Sequence, residues 1–130
     1  YDTPIGENGA KLSGGERQKV YLAMVLAQDT PIVLMDEPTT YLDINHQFEL
    51  LRLVRELADS GKTVLVVMHD LAQALETCDR ILLLDHGEAI AYGPAGEVAD
   101  SRAIDRVFGV VSQRVEDLKG RGHYLFSEQA

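Results

Sequence analysis

Leu12-Ser13-Gly14-Gly15-Glu16-Arg17-Gln18 is the stretch of this 130-residue chain whose reading decides the fold. Ser13 and Glu16 stand at S-x-x-E spacing, a capping box that satisfies orphan backbone donors where a helix starts. A helical pattern follows from about Gly14 to Gln28, with Val20, Ala23, Met24 and Ala27 falling on one apolar stripe. Two glycines beside a capped helix start let a ligand approach closely, and free N–H groups with the helix dipole favour an anion. S-x-x-E alone describes any capped helix. The full seven residues are far more restrictive, and the residues on either side test them.

Upstream, residues 1–11 are rich in glycine and polar side chains and read as a loop. Downstream, Asp29-Thr30-Pro31 breaks the helix, and Ile32-Val33-Leu34-Met35 runs without a polar residue into Asp36-Glu37-Pro38. An unbroken apolar run suits a strand covered on both faces of a parallel sheet. Carboxylates at the C-terminal end of such a strand sit where open α/β sheets bind their ligands. Phe48, Leu51, Leu53, Val54 and Leu57 predict a second amphipathic helix, ended by Ser60-Gly61. Thr63 to Met68 is a second apolar strand ending in His69-Asp70, followed by a helix from about Leu71 to Thr77 and a strand over Arg80 to Leu84. Asp85-His86-Gly87-Glu88 signals a hairpin into Ala89 to Tyr92. Strand–helix–strand–helix–strand order implies an α/β fold with a mainly parallel sheet flanked by helices. Two short helices are expected over Pro94 to Asp100 and Ser101 to Phe108, their Val and Ile positions docking on the sheet. Val110 to Val115 and His123 to Phe126 are expected to be edge strands around Lys119-Gly120-Arg121-Gly122.

Composition narrows the function. A net charge of −9 argues against a nucleic-acid surface, which needs clustered Lys and Arg. The single cysteine, Cys78, allows no internal disulfide and reads as a small buried residue. The longest apolar runs are far too short to span a bilayer, and no signal peptide is visible. His46, His86 and His123 carry no motif context and read as surface residues.

Four motifs stand in fixed order: LSGGERQ, IVLMDEP, TTYLD and VMHD. Together they resemble the ATP-binding-cassette (ABC) ATPases, which have a P-loop NTPase fold. The resemblance implies ATP and Mg²⁺ as cofactors. LSGGERQ resembles the family's signature, so Ser13, Gly14, Gly15, Glu16 and Gln18 are expected to contact nucleotide. IVLMDEP resembles the Walker B strand. Asp36 is then the Mg²⁺ carboxylate, since a hard cation takes oxygen ligands, and Glu37 orients the water that attacks the γ-phosphate. Thr40-Tyr41-Leu42-Asp43 resembles the D-loop, with Tyr41 bulkier than the family's usual residue and Asp43 expected to reach towards the partner subunit and to count among the nucleotide-binding residues. His69 resembles the switch histidine that contacts the γ-phosphate. Taken singly, an Asp-Glu pair after a strand is more often a solvated turn, and a histidine at a strand end more often structural.

No G-x-x-x-x-G-K-[ST] loop is present. In the family that loop and the glutamine loop precede the signature, where this chain has eleven residues. The expected organisation over 1–130 is therefore a partial domain: a loop at 1–11, a catalytic core portion at 12–92, and C-terminal helices and tail at 93–130. Family resemblance implies a head-to-tail dimer with a second ATPase subunit, attachment to transmembrane permease subunits, and a peripheral place on the cytoplasmic face of the cell membrane, with no nucleic-acid partner. Glu37-Pro38-Thr39-Thr40-Tyr41-Leu42-Asp43-Ile44-Asn45-His46-Gln47 and Val67-Met68-His69-Asp70-Leu71-Ala72-Gln73-Ala74 look like importer ATPases for ferric siderophores, haem or cobalamin. Lys19-Val20-Tyr21-Leu22-Ala23-Met24 and Tyr92-Gly93-Pro94 fit that branch. The opening, Tyr1 to Gly9, reads more like exporter ATPases. An ABC exporter, a DNA-repair or chromosome-structure ATPase, and a non-catalytic interaction module are the alternatives; the DNA-repair or chromosome-structure ATPases place long coiled-coil or zinc insertions in the domain, and this chain has neither heptads nor cysteine pairs.

Overall fold

A computed structural model of the chain describes residues 14–129, which divide into two compact units meeting at Met68 and His69. The first unit holds helix α1 (Gly14–Gln28), strand β1 (Ile32–Asp36), helix α2 (Ile44–Asp59) and strand β2 (Thr63–Val67). β1 and β2 pair in parallel, from Ile32 opposite Thr63 to Asp36 opposite Val67. Their alternating side chains place Val33 and Met35, with Val64 and Val66, against the helices. Leu22 of α1, Leu42, and Leu50, Val54 and Leu57 of α2 complete that core. The opposite sheet face leaves Ile32, Leu34, Leu65 and Val67 exposed. So the apolar runs do form strands, but one face is covered among the described residues where two were expected.

Helix phase also differs from the sequence pattern. α1 buries Leu22 and packs Val25 on the core, while Ala23 and Ala27 of the expected stripe are exposed. Branched side chains bury more apolar area than alanine, so they take the inward positions. In α2 the expected Leu51, Val54 and Leu57 are buried and Leu53 packs on the core, joined by Leu50, while Phe48 alone of the expected stripe is 57% exposed. Lys62 ties the start of β2 to the end of α1, its Nζ donating to Asp29 Oδ1 at 2.9 Å and to the Thr30 carbonyl at 2.8 Å. Gly61, at φ 102°, occupies backbone that a side chain disfavours where α2 turns into β2.

The second unit begins with helix α3 (Leu71–Thr77), followed by strands β3 (Arg80–Asp85) and β4 (Glu88–Pro94). β3 and β4 form an antiparallel hairpin. His86 and Gly87 both have positive φ, 49° and 80°, the two-residue turn whose twist matches the strands. Helices α4 (Ala95–Asp100) and α5 (Ala103–Phe108) then pack Val98, Ala99, Ala103 and Ile104 with Leu75 and Leu83. Val98 and Ile104 thus dock as expected. A last hairpin joins β5 (Val110–Glu116) to β6 (Gly122–Glu128), also antiparallel. Arg102, in left-handed backbone, fastens α5 to β5 by donating to the Ser112 carbonyl at 2.8 Å and to Asp105 Oδ2 at 3.2 Å. Cys78 is the C-cap of α3 and only half-buried. Among the described residues no helix is long and apolar enough to cross a membrane.

Candidate functional site

The best-defined chemistry lies where β1 ends. Asp36 is its last residue and is exposed; Glu37 follows, half-buried. Glu37 extends the parallel ladder by one step, its N–H donating to the Val67 carbonyl at 2.8 Å. Its backbone then turns left-handed, φ 48°, a conformation costing a non-glycine residue on the order of 1–3 kcal/mol. The surrounding turn sustains it. Thr40 N–H donates to the Glu37 carbonyl at 3.1 Å, closing a turn with Pro38 at the position proline favours. Leu42 N–H donates to the Thr39 carbonyl at 3.2 Å in a second turn, where Tyr41, φ 68°, stands in backbone that ordinarily calls for glycine.

Both ends of the 37–43 segment are anchored in the core. Pro38 and Leu42 are buried, and Gln47 of α2 donates its side-chain amide to the Leu42 carbonyl at 2.9 Å. Tyr41 points the other way and is 97% exposed. Asp43 is the N-cap of α2, its Oδ1 accepting from the His46 N–H at 2.9 Å. That backbone donor, first among the causes, holds the Asp43 carboxyl below its ordinary value, with the His46 ring 2.9 Å away adding to it. The segment carrying Glu37 and Asp43 is therefore a hydrogen-bonded double turn between a strand end and a capped helix.

His69 is exposed and opens the second unit, two residues after Val67. Asp70, beside it, N-caps α3 by accepting from the Gln73 N–H at 3.0 Å. Gly14, Gly15, Glu16 and Gln18 form the first turns of α1, with Glu16 exposed. Ser13 lies outside the described residues, as does its expected capping bond. Among the described residues no group of three or more His, Cys, Asp or Glu side chains is arranged to hold a metal ion.

Residues 1–40 match the family described as ABC transporter. The chain is 44% identical over 107 residues to the ferric enterobactin transport ATP-binding protein of Escherichia coli (strain K12), covering 82% of this chain and 40% of that protein. It is 46% identical over 125 residues to the hemin import ATP-binding protein of Pseudomonas fluorescens (strain Pf0-1), covering 92% of this chain and 49% of that relative. The chain belongs to the ABC transporter family of ATP-binding proteins. An inward-facing conformation of a metal-chelate type ABC transporter superposes with a TM-score of 0.82 at 26% identity, over 93% of this chain and 49% of that one. The fold is that of the ABC ATPase cassette. This chain spans less than half the length of the curated relatives it matches.

Two features of this ABC ATPase chain had no sequence signal. The Val67 carbonyl that seats Glu37 is a backbone atom, and any residue type supplies one. His123, read from the sequence as a surface residue, instead holds two carboxylates at once: Glu76 of α3 through Nδ1 at 2.9 Å and Asp117 through Nε2 at 2.8 Å. Those partners are 47 and six residues away in the chain, beyond the reach of any local motif.

Proposed function

We propose that this chain is part of the ATP-binding, ATP-hydrolysing subunit of an ABC importer that brings in an iron chelate (siderophore or haem) or cobalamin. The observation that carries the reading is the placement of Asp36 and Glu37 at the end of parallel strand β1, the latter seated on β2, downstream of the LSGGERQ helix. The cargo follows from the relatives, which are named for ferric enterobactin and hemin.

Mg²⁺ with a nucleotide ordinarily takes one or two protein carboxylates, the rest of its shell being phosphate oxygens and water. A single exposed carboxylate at a strand end, Asp36, fits that pattern, and the lack of a larger acidic cluster does not conflict with it. Bound there, the ion would neutralise developing phosphate charge. Glu37 would accept a hydrogen bond from the attacking water, its direction set by the left-handed backbone and the bond to Val67. His69 would donate to the γ-phosphate. Ser13, Gly14, Gly15, Glu16 and Gln18 would close over ATP held by a second subunit, with Asp43 facing that subunit at the junction. The partners are then a second ATPase subunit and transmembrane permease subunits, at the cytoplasmic face of the cell membrane.

Reconstituting the complete subunit with its permease in vesicles tests the reading. ATP-dependent accumulation of a ferric chelate, haem or cobalamin on the side that carries the ATPase is expected; ATP-driven movement away from that side would instead mark the exporter branch that the opening, Tyr1 to Gly9, resembles. Absence of ATP hydrolysis altogether would leave only the interaction module.

A further inference from the structure

His123 sits at the start of β6 with a carboxylate against each ring nitrogen, Glu76 from α3 and Asp117 from the end of β5. A neutral imidazole has one N–H and one lone pair, so it donates to only one of the two; only the imidazolium donates to both. We propose that His123 is a proton-operated latch joining α3 to the C-terminal β5–β6 hairpin, closed when the ring is protonated and loosened when it is neutral. The latch lies wholly within the second unit and does not rest on the ATPase reading.

The charged groups around the ring fit that role. From α3, Glu76 turns its second oxygen to the Tyr124 N–H at 3.1 Å, so one carboxylate grips both the side chain and the backbone of β6. From the turn, Asp117 accepts from the Lys119 N–H at 2.8 Å, from the Arg121 N–H at 3.0 Å and from Arg121 Nε at 3.2 Å. From β5, the Arg114 side chain lies against Gly122, the residue before His123. Asp117 therefore keeps cationic and backbone donors whatever the state of the ring. Among the described residues Glu76 pairs only with the His123 ring and the Tyr124 N–H, which makes the α3 side of the latch the side that depends on the proton. Asp117 first, then Glu76, hold the imidazole above its ordinary pKa. A group whose folded pKa is raised stabilises fully below its unfolded value, about 6.5, and the contribution is lost as pH rises through the folded pKa.

Backbone amide exchange in the full chain, followed residue by residue from about pH 5 to pH 9 and corrected for intrinsic rates, tests the latch. Protection at the Tyr124 amide is expected to fall roughly five-fold or more as His123 loses its proton, the size of one lost hydrogen bond. His123→Gln should remove that step and leave a flat profile. Equal steps in wild type and His123→Gln, or no step in wild type, overturn the proposal. Should His123→Gln not fold, the ring titration of His123 in the wild-type chain, read by NMR, decides: a midpoint above about 6.5 supports the latch and one at or below it overturns it.

Discussion

The Glu37 N–H donates to the Val67 carbonyl at 2.8 Å, one rung beyond the paired ends of β1 and β2, so the candidate catalytic carboxylate is carried by the sheet itself rather than by a loose loop. The left-handed backbone at Glu37 is sustained on both sides, by this rung and by the Thr40 N–H on its own carbonyl. A group held so on rigid elements suits positioning chemistry, where small displacements cost large factors in rate.

Glu37→Gln in the complete protein is expected to lower turnover by about 10²–10⁴ while leaving ATP binding intact. The amide is close in shape but a far poorer acceptor for the attacking water, and the backbone seat on Val67 needs no carboxylate. Single-turnover hydrolysis and equilibrium nucleotide binding, measured together, check it. Near wild-type turnover would remove Glu37 from the role.

Leu50→Ala should destabilise the first unit by about 2–5 kcal/mol, since Leu50 is 3% exposed amid Leu22, Val33, Met35 and Leu42 and its loss leaves a cavity. Phe48→Ala, on the exposed side of the same helix, should change stability little. Denaturant unfolding of both variants distinguishes burial of Leu50 from the burial of Phe48 that the sequence pattern suggests.

That contrast shows what the sequence conveys and what it does not. Element type was readable: every described strand and helix was anticipated to within a few residues, because apolar runs, Asp caps and the His86-Gly87 turn act locally. Helix phase was readable only in part: Leu51, Val54 and Leu57 of α2 are buried as expected, whereas Phe48 and Leu50 are both apolar and only the neighbouring sheet decides which of the two is buried. Asp36 and Glu37 could be located from their strand end, whereas the bond that seats Glu37 could not, being made by a carbonyl. His123 was missed for the same reason at longer range, its Glu76 partner lying on another element.

Asp43→Ala should loosen the first turn of α2, and Asp43→Asn should largely keep it, since the cap needs an acceptor oxygen for the His46 N–H. Exchange at the His46 amide is expected to quicken several-fold in the alanine variant. Because the folded Asp43 carboxyl has a lowered pKa, its contribution is present above the ordinary value of 3.8 and is lost as pH falls through the folded pKa. The wild-type cap should therefore weaken only in acid, and the asparagine cap should show no such step. An identical acid response in both would detach the cap from Asp43 ionisation.

The 130 residues alone are expected neither to bind Mg-ATP tightly nor to hydrolyse it. Tight binding in P-loop proteins rests on the backbone N–H groups and lysine of a loop this sequence does not contain. Asp36 and Glu37 bring two carboxylates, and a net charge of −9 repels a polyanion. Titration calorimetry reads the answer; micromolar binding with phosphate release would contradict it.

The same 130 residues should self-associate. Ile32 and Leu34 of β1 share a sheet face with Leu65 and Val67 of β2, and Leu34 and Leu65, side by side in the register, are 66% and 58% exposed. A contiguous apolar face is driven out of water at about 25 cal/mol per Å² buried, and a second copy presents the same face to cover it. Sedimentation velocity at rising concentration should show the average mass increasing. Leu34→Lys with Leu65→Glu should hold the chain monomeric, since opposite charges set side by side offset one another while making the face costly to bury. The two substitutions leave the Val33 and Met35 core untouched, so an unchanged circular dichroism spectrum is expected. Association that persists in the double variant would assign it to another surface, and a wild-type chain that stays monomeric would show that water tolerates this face.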